Sequence, residues 1–167
     1  NIQPSFLDQI DLYDPLQASN PPKSVGDQFP ISNNARPALT YNFQVDAGKE
    51  PRNILLRIKT SSSRLLSISA LPVAAALVAD RNILIETNLL IFGLFLFVPW
   101  AIYNWFIRRD SLSRGFAIMQ LLAFIYAIFI LGYARLYFSE WLSAPAIDSL
   151  TSILVFLYTY ISIWVFL

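Results

Sequence analysis

Residues Thr87 to Ile107 read TNLLIFGLFLFVPWAIYNWFI, with no Asp, Glu, Lys, Arg or His. Two further runs of the same kind follow, Gly115 to Ala134 and Ser149 to Leu167. Each is about 20 residues, which at about 1.5 Å rise per residue spans the roughly 30 Å hydrocarbon core of a bilayer. Inside lipid the backbone can satisfy its own hydrogen bonds only as a helix or a closed barrel. Barrel strands would alternate apolar and polar residues, whereas these runs are apolar on every face, so they are read as helices. The lipid bilayer is thus the first partner the sequence implies.

Outward from these runs the composition changes. The chain is 56% hydrophobic with mean hydropathy +0.51, yet most of the charge lies in residues 1–82. That half carries Lys23, Arg36, Lys49, Arg52, Arg57, Lys59, Arg64 and Arg81 against Asp8, Asp11, Asp14, Asp27, Asp46, Glu50 and Asp80, so it is close to neutral. No basic field for nucleic acid exists. With neither Cys nor His, zinc ligation and His-based acid–base chemistry have no residues to use, and no cofactor or catalytic residue is expected. The opening at Asn1 without Met, and the close on Trp164-Val165-Phe166-Leu167 without a polar flank, read as a piece of a longer protein.

Arginine placement orients the helices, because positive loop residues favour the cytoplasm. Arg108, Arg109 and Arg114 surround the first short loop, whereas the second carries Glu140 with Asp148 nearby. The first loop is therefore expected inside, which places residues 1–82 in the periplasm or extracellular space. Trp100, Trp105, Trp141, Tyr133 and Tyr137 stand near helix ends and read as interfacial anchors.

Residues 14–40 are dominated by turn chemistry, from Asp14-Pro15 and Asn20-Pro21-Pro22 to Asn33-Asn34 and Arg36-Pro37. Around them Phe6–Tyr13, Leu39–Val45, Ile54–Lys59 and Leu65–Leu71 have strand character, with apolar residues at every second position in Ile10, Leu12 and in Tyr41, Phe43, Val45. The expected fold is a membrane protein: an incomplete all-β sandwich, jelly-roll-like, followed by three transmembrane helices. The expected boundaries are a sandwich over residues 1–72, a connecting helix over 73–82, and spans over 83–107, 115–138 and 147–167. A cytoplasmic loop at 108–114 and a periplasmic loop at 139–146 join the spans. Pro72 opens helix-forming sequence that runs without a breaker into the first span, so one helix is expected from Val73 to Ile107, with a kink at Pro99.

A family likeness rests on Leu7-Asp8-Gln9-Ile10-Asp11-Leu12-Tyr13, Gly26-Asp27, Arg36, Phe43 and Leu55-Leu56-Arg57-Ile58-Lys59-Thr60-Ser61, then Leu66-Ser67-Ile68, Tyr103-Asn104, Arg108-Arg109-Asp110, Gly132–Tyr137 and Trp141. Together these resemble the extracellular sensory domain and first spans of bacterial seven-transmembrane receptors with diverse intracellular signalling modules. The resemblance implies an inner-membrane signal-transducing receptor with a periplasmic N-terminal domain that senses a small molecule, sugar or protein. It also implies four further spans and a cytoplasmic output, such as a cyclic-di-GMP-forming diguanylate cyclase or a histidine kinase, of which no residue appears here. A homodimer is an admissible assembly. The rival readings are an accessory membrane subunit that docks a partner through its external domain, and a transporter or membrane enzyme. The last is disfavoured because no span carries a central ionisable residue.

Asn33, Asn34, Arg36 and Tyr41, with Phe29 nearby, are the candidate ligand-binding residues, since amide, guanidinium and aromatic groups suit a sugar or a carboxylate. Asp8, Asp11 and Asp14 are spaced by three, which in a strand scatters them over both faces, so a solvated strand face is expected rather than a calcium site. Glu86 and Arg135 are expected to pair if their helices are neighbours. Asn88, Asn104, Gln120, Thr151, Ser152, Thr159 and Ser162 read as interhelical hydrogen-bonding groups.

Overall fold

A computed structural model describes residues 1–4, 7–17, 21–48, 50–60 and 66–167. Phe6, Asn20 and the 61–65 part of two expected stretches lie outside the described residues, as do Lys49 and Arg64. Among the described residues the N-terminal part forms five short strands: β1 (Ile2–Gln3), β2 (Gln9–Tyr13), β3 (Lys23–Val25), β4 (Leu55–Lys59) and β5 (Ser67–Ile68). They make two small antiparallel sheets, one of β1 and β5 and one in the order β3-β2-β4. In the second, Ile10 lies opposite both Val25 and Ile58.

The apolar Ile10 and Leu12 of β2 are buried as their period-two spacing implies, but Asp11 between them is buried too, so burial along the strand does not alternate. Ile2, Leu7, Ile10, Val25 and Tyr41 form the core, with Phe43, Leu56 and Ile58 packed against it. Leu39–Val45 is not a strand, although burial alternates from Phe43 to Asp46. Its backbone joins a sheet only at the Ile2–Tyr41 bridge, where each residue donates to the other's carbonyl at 2.8 and 3.2 Å. The Asn42 side chain explains why the ladder stops: it accepts from the Arg36 amide at 2.8 Å and donates to the Arg36 carbonyl at 3.0 Å. A buried amide used in this way ties a turn in place of a strand.

The C-terminal part is helical. α1 (Val73–Arg108) runs unbroken through Pro99, so the single connecting helix is present, and at about 1.5 Å per residue it is roughly 54 Å long. That exceeds a bilayer core by roughly 20 Å. α1 ends where Arg109 adopts a left-handed conformation (φ 54°) and its amide reaches the Trp105 carbonyl at 2.9 Å. α2 (Ser111–Ile130) starts immediately after, because the Asp110 carboxylate accepts from the Ser113 amide at 2.6 Å. The expected loop 108–114 thus contracts to Arg109 and Asp110.

The expected second span, 115–138, is two helices rather than one. α2 stops at Ile130, Gly132 takes φ 85°, and α3 (Tyr133–Phe138) leaves from it. Only glycine adopts that backbone without strain. α4 (Ala144–Phe166) begins three residues before the expected 147, since Pro145 fits the first turn of a helix. α1, α2 and α4 are each long and apolar enough to cross a membrane. Small residues let them approach: Ala101 on α1 and Ala117 on α2 are buried, and Gly115 on α2 faces Trp164 and Val165 on α4. Phe95 packs on Phe124 at 5.7 Å between ring centres, and Trp100 meets Phe116 edge-on at 6.1 Å. Side chains such as Leu89, Phe92, Phe156 and Phe166 are exposed, which suits a lipid surround rather than water.

Candidate functional site

A cavity of about 370 Å³ opens between the two sheets and the start of α1. Its walls are apolar: Ile2, Leu12, Leu56 and Ile68 come from the strands, Phe43 from the bridging segment, and Val73 and Ala76 from the first turn of α1. Asn1, Arg36, Gln44 and Ser69 supply the polar groups. A volume of this size and lining suits a small organic molecule with an apolar body and one polar end.

Arg36 is the one sequence candidate that lines this cavity, and it is held from behind. Its Nη2 donates to Asp80 Oδ2 on α1 at 3.0 Å and to Asn1 Oδ1 at 3.2 Å. Asp80 Oδ1 also accepts from Asn1 Nδ2 at 2.6 Å and from Thr40 Oγ1 at 3.3 Å. The second turn of α1 is therefore fastened to three separate points of the β region.

The other three candidates do not join Arg36 in one site. Asn33 donates to the Ser24 carbonyl at 3.0 Å and Asn34 to the Thr40 carbonyl at 3.4 Å, so both amides brace loops. Tyr41 is fully buried in the core, and burial pushes its phenol above its ordinary range. What covers the Tyr41 ring is Arg135 of α3, whose guanidinium carbon lies 4.2 Å from the ring centre. Arg135 Nη1 also donates to the Gly26 carbonyl at 3.4 Å.

This placement corrects the expected Glu86–Arg135 pair. Arg135 is buried in the junction instead of snorkelling, while Glu86 is exposed on α1 and forms no ion pair among the described residues. Gly26 itself packs against the chain before β2, where only a glycine fits: a Cβ there would strike the backbone of Asp8, lying 2.8 Å from its carbonyl carbon. Beside it Asp27 sits where burial, and the nearby carboxylates of Asp148 and Asp8, push its carboxyl up to about 6, against the opposing pull of Arg135.

Asp8 before β2, Asp11 within it and Asp14 after it do not form the expected solvated face. Asp11 and Asp14 are buried. Asp14 takes both arms of Arg52, at 2.9 and 3.0 Å, and this guanidinium holds its carboxyl below the usual range. Burial works to raise Asp11, but hydrogen bonds from Ser24 and Gln9 and the charge of Arg57 outweigh it and the group sits low. No grouping of three or more metal-binding side chains occurs among the described residues.

The Tyr133 hydroxyl donates to Asn88 Oδ1 at 2.6 Å and lies 2.9 Å from Thr87 Oγ1, linking α3 to α1. Tyr133 is therefore buried and bonded, not an interfacial anchor, whereas Trp100, Trp141 and Tyr137 are exposed. Asn88 is interhelical as expected. Asn104, Thr151 and Ser162 instead bond to carbonyls four residues back in their own helices, at 2.8, 2.8 and 2.7 Å.

Sequence reasoning missed Asp80, Asp27 and Gly26 as junction residues. Asp80, in an otherwise apolar helix start, was the available signal for the first. No family model, curated protein or solved structure matches the chain.

Proposed function

We propose that this is a signal-transducing membrane receptor whose N-terminal β region, lying outside the inner membrane, senses a small ligand and relays it through α1. The observation that carries this reading is that the cavity shares a wall with α1, a helix that continues unbroken for 36 residues. A ligand that fills the cavity displaces Val73 and Ala76 relative to the strands, and a rigid helix moves its far end when its near end moves. The Asp80 knot would transmit the same displacement from Arg36.

Arg108, Arg109 and Arg114 at the opposite end support a cytoplasmic location there by the positive-inside bias. The two antiparallel sheets around one core support a partial jelly-roll-like sandwich. With the likeness to seven-transmembrane receptors, the relay would feed a cytoplasmic output, a diguanylate cyclase or a histidine kinase.

The test is a thermal-shift screen of small organic molecules on the protein in nanodiscs, comparing wild type with Ala76→Trp, which fills the cavity. Compounds that raise the wild-type melting temperature and leave Ala76→Trp unmoved support the reading. Compounds that stabilise both alike do not use the cavity and count against it. The exposed Leu16, Leu55 and Ile68 favour a second reading, an accessory subunit that docks a partner protein on the β region. Failure of every compound, together with co-purification of a stoichiometric partner lost in Leu55→Glu, would favour that one.

A further inference from the structure

A second, smaller cavity of about 50 Å³ lies at the other junction, where Asp27 from the β region meets Gly132 and Arg135 around α3, and Ile147, Asp148 and Thr151 on α4. It is room for a water or two, not for an organic ligand. Around it stand two buried polar groups with unused capacity. Asp27 Oδ1 has no hydrogen-bond partner, and neither has Arg135 Nε or Nη2. Nε and Nη2 form one edge of the guanidinium fork, the edge that receives a carboxylate in a bidentate pair. Yet Asp27 makes no ion pair with it: the guanidinium lies with its face over the Tyr41 ring and its Nη1 on the Gly26 carbonyl, and the Nε–Nη2 edge stays unpaired.

We propose that Asp27, Arg135 and Asp148 form a proton-binding site that controls docking of the β region on α3 and α4. Three carboxylates face this place: Asp27 itself, Asp8 from the segment before β2, and Asp148 from α4. Among the described residues one cation, Arg135, faces them. Ionising Asp27 adds a charge that Asp8 and Asp148 repel and that no hydrogen bond at Oδ1 relieves. The neutral acid removes that repulsion, so a proton is the occupant that the balance of charges calls for.

The direction of the response follows from linkage. The Asp27 carboxyl in the docked state, at about 6, lies above its ordinary 3.8, so the docked state binds the proton more tightly than the undocked one. Docking strengthens as pH falls through about 6 and weakens as pH rises through it. Gly132, left-handed between α2 and α3, is the joint about which α3 can leave the β region. This site is separate from the larger cavity and does not rest on that cavity binding a ligand.

The chain has no cysteine, so two introduced ones carry spin labels cleanly. Labels at Lys59→Cys on β4 and Trp141→Cys after α3, both exposed, report docking in phosphatidylcholine nanodiscs, whose headgroup does not titrate in the range used. Between about pH 4.5 and pH 8 the distance distribution should shift, with a midpoint near 6. Asp27→Asn should remove the transition and hold the acid-state distance at every pH. Asp148→Asn, at an exposed position that tolerates change, should retain the transition and move its midpoint to lower pH. A wild type that shows no transition, an Asp27→Asn protein that keeps it, or an Asp148→Asn protein with an unmoved midpoint would each overturn the proposal.

Discussion

The Arg135 guanidinium carbon lies 4.2 Å from the centre of the Tyr41 ring, so a side chain from the helical half caps the core of the β half. Tyr41 is fully buried and Arg135 is 6% exposed, which makes the contact part of a packed interior. A desolvated cation over an aromatic face is worth about 2 kcal/mol, more than a surface ion pair. The β region is correspondingly expected to lose order when this contact is cut. Arg135→Ala should raise amide hydrogen exchange at Tyr41 and Asn42 well above wild type, and Arg135→Lys should fall between, since an ammonium keeps the charge and loses the flat stack.

Asp80→Ala should loosen the same segment from the other side. Asp80 accepts hydrogen bonds from Asn1, Arg36 and Thr40, so its removal takes away the ion-pair partner of the Arg36 guanidinium, which is only 20% exposed and keeps just Asn1 Oδ1. A cost of about 2 kcal/mol is expected for leaving a mostly buried charged donor without its partner. Chemical denaturation of the β region followed by tyrosine fluorescence measures it, and Asp80→Asn should recover part of the loss.

How much of this was legible in the sequence divides by range. The three apolar helices, the unbroken α1 and the buried Ile10 and Leu12 all follow from periodicity and length, which are local. The division of the second span was also written locally, in Gly132, but a lone glycine in an apolar run is more often tolerated packing than a break. Arg135 could not be placed, because its partner lies far away in sequence and an arginine near a helix end ordinarily snorkels. Tyr41 and Phe43 gave a correct reading of burial but a wrong one of structure, since alternation reports which side is covered and not whether a ladder is present. Asn42 decided that, through hydrogen bonds to a turn.

Glycine substitutions separate tight sites from open ones. Gly115→Val should cost about 1–3 kcal/mol, because even a Cβ there would lie 2.6 Å from Trp164 and 2.7 Å from Val165. Gly93→Ala, on α1 with nothing within 4 Å, should be neutral or stabilising by up to about 1 kcal/mol. Thermal unfolding in one detergent, with the two variants side by side, checks the contrast.

Gly26→Ala should be more damaging than its size suggests. The new methyl group would collide with the Asp8 backbone, which cannot rotate away as a side chain can, at a residue with φ 155°. More than about 1 kcal/mol is expected, beyond the entropic gain of losing a glycine. Limited proteolysis should find cleavage sites opened in residues 21–48 and not in α1.

Acid should act on the β region in two opposed steps. Protonating Asp27 strengthens docking as pH falls through about 6. Asp11 and Asp14 have carboxyls below their ordinary 3.8, so their contribution is present above that pH and is lost as pH falls through their lowered values. The melting temperature of the β region is therefore expected to rise as pH falls below about 6, peak near about pH 4 and drop below it, and a monotonic fall from pH 7 downward would remove the Asp27 step.

The most direct test of a relay through α1 is a spin-label distance between Tyr103→Cys on α1 and Phe156→Cys on α4, both exposed, measured in nanodiscs with the larger cavity open and with it filled by Ala76→Trp. The expected result is a shifted distance distribution on filling, at unchanged helix content. An identical distribution in the filled and open proteins would contradict the relay, because the β region could then change without the helices moving.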